Sequence, residues 1–294
     1  RALDRLAKAA SVGAGHGLYE ANRDVYELLR YGVHVKPGAG EQTETVWLID
    51  WKNPEANAFA LAEEVTVHGE HTKRPDLVLY VNGLALATLE LKRSKVAVSE
   101  GIRQTIGNQS PQFIRAFFST VQFVFAGNDI EGLRYGLIDT PEKYWLEWKE
   151  SSTSSTRVSN DSPLDRGLLQ MCTKQRFLEL IHNFIVFDAG VKKGPRHNQF
   201  FGVKAAQERI ARREGGIIWH TQGSGKSLTM VWLAKWIREN QPDARVLLIT
   251  DRTELDEQIE KVFNGVNEQI YRTKSGADLI STLNASTEWL IGSL

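Results

Sequence analysis

Residues 74–94 read RPDLVLYVNGLALATLELKRS, and this stretch decides the fold of the first half of the chain. Two runs of Val, Leu and Ala flank Asn82-Gly83, and an Asn-Gly pair between such runs is typical of a tight β-hairpin. Asp76 opens the first run, and Glu90 and Lys92 close the second. Because side chains alternate along a strand, Glu90 and Lys92 project from the same face of the predicted hairpin.

The position of Asp76 relative to that face depends on the register of the hairpin. A plain two-residue turn sets Asp76 opposite Leu89 and on the face away from Glu90, whereas an odd loop or a β-bulge sets it opposite Glu90. Charged Glu90 and Lys92 end a run that otherwise reads as buried, where an unpaired charge is costly. This setting argues against an exposed hairpin with scattered charges. A metal shared by both carboxylates requires the shifted register, which we therefore expect.

Asp76 followed by Glu90-Leu-Lys92 fits the PD-(D/E)xK pattern of metal-dependent nucleases. Two carboxylates can hold Mg²⁺, which lowers the pKa of a bound water, while Lys92 positions that water or helps to deprotonate it. The next predicted helix carries Gln104 where the RecB-like branch of these nucleases has the first residue of a Gln-x-x-x-Tyr pair, although Asn108 replaces the Tyr. We predict Asp76, Glu90, Lys92 and Gln104 as catalytic residues for phosphodiester hydrolysis, with Asp76 and Glu90 as the metal ligands.

A second informative stretch, His220-Thr-Gln-Gly-Ser-Gly-Lys-Ser227, follows a predicted strand at residues 217–219 and enters an amphipathic helix. In such a loop backbone N–H groups converge on phosphate oxygens, Lys226 reaches the β and γ phosphates of ATP, and the Ser227 hydroxyl can ligate Mg²⁺. His220 replaces the first Gly of the usual G-x-x-x-x-G-K-[ST] pattern. The loop residues predicted to bind the nucleotide are Thr221, Gln222, Gly223, Ser224, Gly225, Lys226 and Ser227.

Upstream of this loop, Pro195-Arg-His-Asn-Gln199 resembles the adenine-reading glutamine motif of superfamily 2 helicases. The Gln199 amide offers a donor and an acceptor to adenine, although a solvated residue at a helix start is an alternative interpretation. Downstream, the run 246–252 ends in polar residues, as at the place where such motors touch the DNA backbone. Three elements in this order favour a DNA translocase over a kinase or a GTPase.

Composition limits these interpretations. The 294 residues are enough for two domains, and Lys plus Arg equals Asp plus Glu at 36 each, so any grip on nucleic acid must be local. A single cysteine excludes an internal disulfide framework. No apolar run approaches the roughly 20 residues of a membrane span. We therefore expect a cytoplasmic protein that does not enter a membrane.

The organisation along the chain predicts two domains. Residues 151–162, SSTSSTRVSNDS, contain almost no apolar side chain and read as a linker or mobile loop. We predict an α/β chain with a PD-(D/E)xK (RecB-like) endonuclease domain at 1–150, followed at 163–294 by the first RecA-like lobe of a superfamily 2 helicase. The chain has no initial Met and stops within a predicted strand. We therefore expect a trimmed chain whose incomplete lobe binds ATP without sustained turnover.

A nuclease pattern followed by a helicase-type phosphate loop resembles the restriction subunit of type I restriction-modification enzymes. Leu48-Ile-Asp-Trp-Lys-Asn-Pro54 and Asn183-Phe-Ile-Val-Phe187 are further similarities. The resemblance implies Mg²⁺-dependent cleavage of double-stranded DNA coupled to ATP-driven translocation, with methylation and specificity subunits as partners. Alternatives are another nuclease-helicase fusion, such as a type III restriction subunit, a DNA-binding or assembly module with a vestigial nuclease, and a simple P-loop kinase.

Overall fold

The computed structural model describes residues 1–38, 40–150, 162–251, 253–266, 268–285 and 288–293. These residues divide into two units, the first comprising 1–185 with 190–194 and the second comprising 186–189 with 195–294. Apart from Ser162, the predicted linker 151–162 lies outside the described residues. Among the helices of the described residues, none has the length and apolarity needed to cross a bilayer.

A mixed five-stranded sheet forms the centre of the first unit, with its strands in the order β3-β4-β5-β6-β7. The strands are β3 (Phe59–Glu63), β4 (Leu77–Val81), β5 (Leu84–Leu91), β6 (Phe123–Asn128) and β7 (Gly132–Gly136), preceded by the hairpin strands β1 (Val33–Val35) and β2 (Glu44–Val46). Strands β5 and β6 run parallel, and the other neighbours in the five-stranded sheet are antiparallel. Residues 85–90 of β5 and all of β6 are buried, in keeping with the interior positions of these two strands in the sheet.

The first unit also contains five α-helices among its described residues. They are α1 (Ala2–Ala9), α2 (Leu18–Tyr31), α3 (Val98–Asn108), α4 (Pro163–Cys172) and α5 (Lys174–Phe184). A buried cluster joins Leu18 of α2 and Ile102 of α3 to Val124 and Ala126 of β6. Helix α3 ends at Asn108, shortly before Ser110-Pro111. Proline cannot supply the backbone N–H that a continuing helix needs.

The units divide later in the chain than the predicted boundary. Helices α4 and α5 were expected in the second domain, but both pack on the sheet of the first unit. Gly167 allows α4 to approach the Leu133 side chain, and the rings of Phe177 and Phe123 lie 6.3 Å apart. Segment 190–194 is also held there, because the buried Lys192 ammonium donates to Asn22 Oδ1 and to a second amide oxygen. A polar run in the sequence therefore did not mark the end of this core.

The second unit contains a parallel sheet in the order β10-β12-β11 among its described residues. The sheet strands are β10 (Val246–Ile249), β11 (Tyr271–Arg272) and β12 (Leu290–Ser293). The unit also contains β8 (Val186–Asp188), whereas β9 (Val191–Lys193) lies in the first unit. The helices of the second unit are α6 (His197–Ala211), α7 (Lys226–Asn240), α8 (Thr253–Gly265) and α9 (Gly276–Ala285). From β10 onward, strands alternate with helices, as the sequence predicted.

The expected strand at residues 217–219 was wrong. This segment has no strand conformation, and the Ile217 and Trp219 side chains are 87% and 90% exposed. A strand forms only when a neighbour takes up its backbone N–H and C=O groups. Among the described residues, the strands of the parallel sheet pair only with one another. The apolar character of this run predicted burial, whereas the missing neighbour explains its exposure.

Candidate functional site

The β4-β5 hairpin confirms the predicted register. Asn82 and Gly83 both have positive φ values, 50° and 81°, as the two central residues of a type I′ turn do. Near the turn Val81 pairs with Leu84, but the register shifts after Leu79. Beyond that irregularity Leu77 pairs with Leu89. Asp76, one residue earlier, is thereby brought opposite Glu90, so a bulge supplies the shift that a shared site requires.

Asp76 is held by backbone groups on both sides of the hairpin. Its Oδ2 accepts a hydrogen bond of 2.7 Å from the Leu91 N–H, and its backbone oxygen accepts one of 2.9 Å from the Glu64 N–H. A carboxylate oxygen bound to a strand N–H has little rotational freedom. The Asp76 carboxylate is therefore fixed beside the end of β5, next to Glu90.

Glu90 is a buried carboxyl group with charged neighbours. Its side chain is 3% exposed, and Lys92 Nζ lies 2.8 Å from its Oε1. Burial raises the pKa of the Glu90 carboxyl to about 7, the hydrogen bond from Lys92 opposes this rise, and the charge of Asp76 adds to it. The cause is that burial and a nearby negative charge both disfavour the ionised form. Glu90 thus titrates close to neutral pH.

Lys92 connects the strand to the following helix. Its ammonium donates to Glu90 Oε1 and also, at 2.8 Å, to Oε1 of Gln104 on α3. Gln104 is exposed, whereas Asn108, one turn later, is buried. The structure therefore brings the four predicted catalytic residues into one continuous set of contacts, and it leaves Asn108 inside the core.

The two carboxylates fit a divalent cation. Their proximity is itself unfavourable when both are ionised, and a cation between them would relieve that repulsion. Within the described ranges, no group of three or more His, Cys, Asp or Glu side chains could hold a metal ion. A cation at Asp76 and Glu90 would therefore need further oxygen ligands from the backbone, from water or from the phosphate of a substrate.

The glycine loop of the second unit has the backbone conformation that its sequence predicts. Gly223 and Gly225 have φ values of 75° and 83°, and α7 begins directly afterwards at Lys226. A Cβ atom at Gly225 would lie 2.3 Å from Gln199 Nε2, so steric space as well as φ requires glycine there. The loop ends at a helix N-terminus, where backbone N–H groups are available to an anion.

Lys226 and Ser224 of the loop have contrasting surroundings. Lys226 Nζ donates to the backbone oxygens of Thr221 at 3.0 Å and His220 at 3.3 Å. The Ser224 hydroxyl is buried and has no hydrogen-bond partner within the described part of the chain. A buried hydroxyl without a partner is costly. Thr221 and Gln222 are exposed, and Ser227 is half-buried on the first turn of α7.

Gln199 is more occupied than its predicted role requires. Its Oε1 accepts from the Arg196 N–H at 2.8 Å, and its Nε2 donates to the Gly225 oxygen at 2.9 Å. The side chain is buried, so the alternative of a solvated residue at the helix start was wrong. In this conformation the amide braces α6 against the glycine loop.

Sequence reasoning missed the neighbouring Arg196. Its guanidinium donates to the Gly223 oxygen at 3.3 Å, which adds a second link between the start of α6 and the loop. Its position three residues before Gln199, about one helical turn away, is the feature of the sequence that could have indicated a place beside the same loop.

Both parts of the chain match known protein families. Residues 1–143 match the family described as type I restriction enzyme R protein N terminus, and residues 198–294 match the SWI2/SNF2 ATPase family. These two ranges contain the carboxylate site and the glycine loop, respectively.

Relatives extend the similarity across most of the chain. A type I restriction enzyme HindI endonuclease subunit of Haemophilus influenzae is 28% identical over 92% of this chain and 28% of its own length. A putative type I restriction enzyme endonuclease subunit of Methanocaldococcus jannaschii is 28% identical over 86% of this chain and 27% of its own length. One from Staphylococcus saprophyticus is 25% identical over 92% and 28%. The predicted resemblance to type I restriction subunits is confirmed, and this chain spans about a quarter of the relatives' length.

Proposed function

We propose that this chain is part of the restriction subunit of a type I restriction-modification enzyme. Its first unit would cut double-stranded DNA with Mg²⁺, and its second would bind ATP for helicase-type DNA translocation. The observation that carries this proposal is the set of contacts from Asp76 through Glu90 and Lys92 to Gln104. The matches to endonuclease subunits and to an ATPase family support it.

In the proposed cleavage site, Asp76 and Glu90 would hold Mg²⁺ at the open end of the hairpin. When bound, the cation supplies Lewis acidity for the scissile phosphate and for the attacking water. Lys92 keeps its ammonium between Glu90 and Gln104, where it offsets charge on the phosphate and orients the water. Gln104 acts through Lys92 and is therefore a positioning residue. The reaction is hydrolysis of a phosphodiester bond.

In the proposed ATP site, the backbone N–H groups of residues 221–225 bind phosphate oxygens. Lys226, which now donates to two loop carbonyls, would contact the β and γ phosphates, and the Ser227 hydroxyl would be a ligand for Mg²⁺. Gln199 would read adenine only after it gives up one of its present hydrogen bonds, so nucleotide binding would alter the brace between α6 and the loop.

The proposed setting is a multi-subunit complex in the cytoplasm. Methylation and specificity subunits of the same restriction-modification system would recognise the DNA sequence and recruit this chain. The names of the relatives, which describe endonuclease subunits, support such an assembly. Another nuclease-helicase fusion and a module with a vestigial nuclease are the competing proposals.

The cleavage proposal is tested with Asp76→Ala and Lys92→Ala in the full-length subunit, assembled with its methylation and specificity partners. Removing a metal ligand or a positioned cation should slow Mg²⁺-dependent cutting of plasmid DNA by roughly 10² to 10⁴-fold, the range for a group that acts in the transition state. DNA-stimulated ATP turnover should persist, because the two sites lie in different units.

The exposed residues Asp129 and Lys52 provide matched controls in the first unit. Asp129→Ala and Lys52→Ala should cut DNA at the parent rate. Parent-level cutting by Asp76→Ala and Lys92→Ala would contradict the assignment and favour a vestigial nuclease. Failure of the subunit to assemble with a methylation complex would instead favour another nuclease-helicase fusion.

A further inference from the structure

We propose that Gly101 in α3 is a positioning residue for the cleavage site. The lack of a side chain at this position lets α3 approach Glu90 at the end of β5 and Lys92 just after it, so that Gln104 can reach the Lys92 ammonium. This inference rests on the proposed nuclease function and adds to it a residue that contacts neither substrate nor metal.

The surroundings of Gly101 are the side-chain stems of the site itself. A Cβ atom at this position would lie 3.4 Å from Lys92 Cγ, 3.6 Å from Glu90 Cγ and 3.3 Å from Ala126 Cβ. A single methyl group would thus fill the remaining space, and a branched side chain would have to displace the two charged residues or the helix. Gly101 is buried, so a larger side chain could not turn toward solvent instead.

Helix stability gives no reason for a glycine here. Glycine within a helix is less favourable than alanine by about 1 kcal/mol, and Gly101 lies within the regular part of α3. Gly107 lies in the same helix, but a Cβ atom there would have no described atom within 4 Å. The two glycines therefore share a helix and differ in what a side chain would meet.

Gly101 is coupled to Lys92 through the helix face that it shares with Gln104. Residues three apart in a helix are neighbours on one face. The Thr105 hydroxyl also donates to the Gly101 oxygen at 3.0 Å, which ties the next turn to the same point. The Lys92 ammonium donates to both Glu90 and Gln104. If α3 moved outward, the hydrogen bond to Gln104 would break and the one to Glu90 would remain.

The experiment compares Gly101→Val with Gly107→Val in the assembled restriction complex. Both substitutions place the same residue in the same helix, and only the first meets Glu90 and Lys92. We expect Gly107→Val to cut DNA like the parent. Gly101→Val should cut about 10²-fold more slowly, as a displacement of roughly 1 Å can cause. It should also need more Mg²⁺ for half-maximal cutting, with unchanged DNA-stimulated ATP turnover.

A smaller pair of variants decides the question if Gly101→Val does not fold. Gly101→Ala requires shifts of only tenths of an ångström, so it should retain its thermal transition and still raise the Mg²⁺ requirement relative to Gly107→Ala. Equal Mg²⁺ requirements for the two alanine variants would overturn the proposal. So would equal losses of cutting in Gly101→Val and Gly107→Val, since that result would reflect the helix and not the site.

The outcomes also separate this inference from the proposed function. If Lys92→Ala abolishes cutting while Gly101→Val cuts with the parent's Mg²⁺ dependence, only the role of Gly101 is contradicted. If Lys92→Ala cuts normally, the nuclease assignment fails and the role of Gly101 fails with it.

Discussion

The residues of the two candidate sites are brought together in different ways. In the first unit, the residues come from a hairpin and a helix between Asp76 and Gln104, and their central group is a buried carboxyl. In the second unit, residues 221–227 form one continuous loop whose Lys226 is exposed. The first site depends on strand register and helix packing, whereas the second depends on glycine conformations that short sequence motifs specify. A substitution in one site should therefore differ from a substitution in the other in how strongly it affects binding and activity.

Among the comparisons that follow, the largest effect is expected from Lys226→Ala, which tests whether a change in the loop stays confined to the second unit. Loss of a charged hydrogen-bond donor to phosphate should weaken binding of a non-hydrolysable ATP analogue by roughly 10 to 100-fold, corresponding to about 1.5–3 kcal/mol. Calorimetry would measure this loss. The exposed Lys261 on α8 is a control, and Lys261→Ala should bind the analogue like the parent.

Binding of Mg²⁺ to the first unit should be unaffected by Lys226→Ala. A parallel loss of Mg²⁺ affinity at Asp76 and Glu90 would contradict the separation of the two sites. Unchanged binding of the ATP analogue by Lys226→Ala would contradict the assignment of the loop.

A second prediction concerns pH and applies to the buried site alone. Glu90 has a pKa raised to about 7, mainly by burial, and it must lose its proton before it can hold a cation. Its affinity for Mg²⁺ should therefore fall about tenfold for each pH unit below that pKa and level off above it. Calorimetric titration of the nucleotide-free protein with Mg²⁺ across this range measures the slope.

Glu90→Gln is the matching control for the pH experiment. It preserves the shape of the side chain and removes the titrating proton, so the pH dependence should disappear and Mg²⁺ binding should be weak throughout. A parent affinity that does not change between about pH 5.5 and about pH 8 would contradict the role of this carboxyl group as a ligand.

The smallest effect is expected from Gly83→Ala, which separates the turn of the hairpin from its bulge. A Cβ atom at Gly83 meets no described atom within 4 Å, but its φ of 81° is unfavourable for alanine. The variant should be less stable by about 1–2 kcal/mol, measured by chemical denaturation. DNA cutting in the assembled enzyme should remain within about threefold of the parent, a change of less than 1 kcal/mol in the barrier.

Gly107→Ala is a control for which the change in the free energy of unfolding should have the opposite sign. Its helical backbone suits alanine, so this variant should be more stable than the parent by up to about 1 kcal/mol. Loss of cutting in Gly83→Ala comparable to that of Asp76→Ala would mean that the turn, and not the bulge after Leu79, maintains the shared register.

Much of the fold was accessible from local signals. The hairpin predicted around Asn82-Gly83 is formed by β4 and β5, and the helix predicted after the glycine loop begins at Lys226. The end of α3 at Asn108 agrees with the proline at position 111. These features depend on turn chemistry, residue periodicity and backbone restriction, all of which act between residues close in the chain.

The errors share a different origin. The expected strand at 217–219 and the expected boundary at 151–162 both concern which surfaces meet across large sequence separations. An apolar run becomes a strand only if a partner strand is adjacent, and a helix joins the core that buries its apolar face. The hydrogen bonds of Gln199 to Arg196 and Gly225, beside the glycine loop, were not predictable from the motif. The role of Gln199 toward adenine stays a prediction.

The sequence by itself determined which chemical groups the protein has for each site: two carboxylates with a lysine at strand spacing, and a glycine loop with lysine and serine before a helix. Only the tertiary structure decided that Asp76 faces Glu90, since an Asn-Gly turn alone predicts the opposite face and the bulge reverses it. It also decided the ionisation of Glu90 near neutral pH, because burial depends on what covers the strand. The amino-acid sequence specifies local backbone geometry, whereas strand register, side-chain burial and the close approach of a helix to a strand arise from packing between segments far apart in the chain.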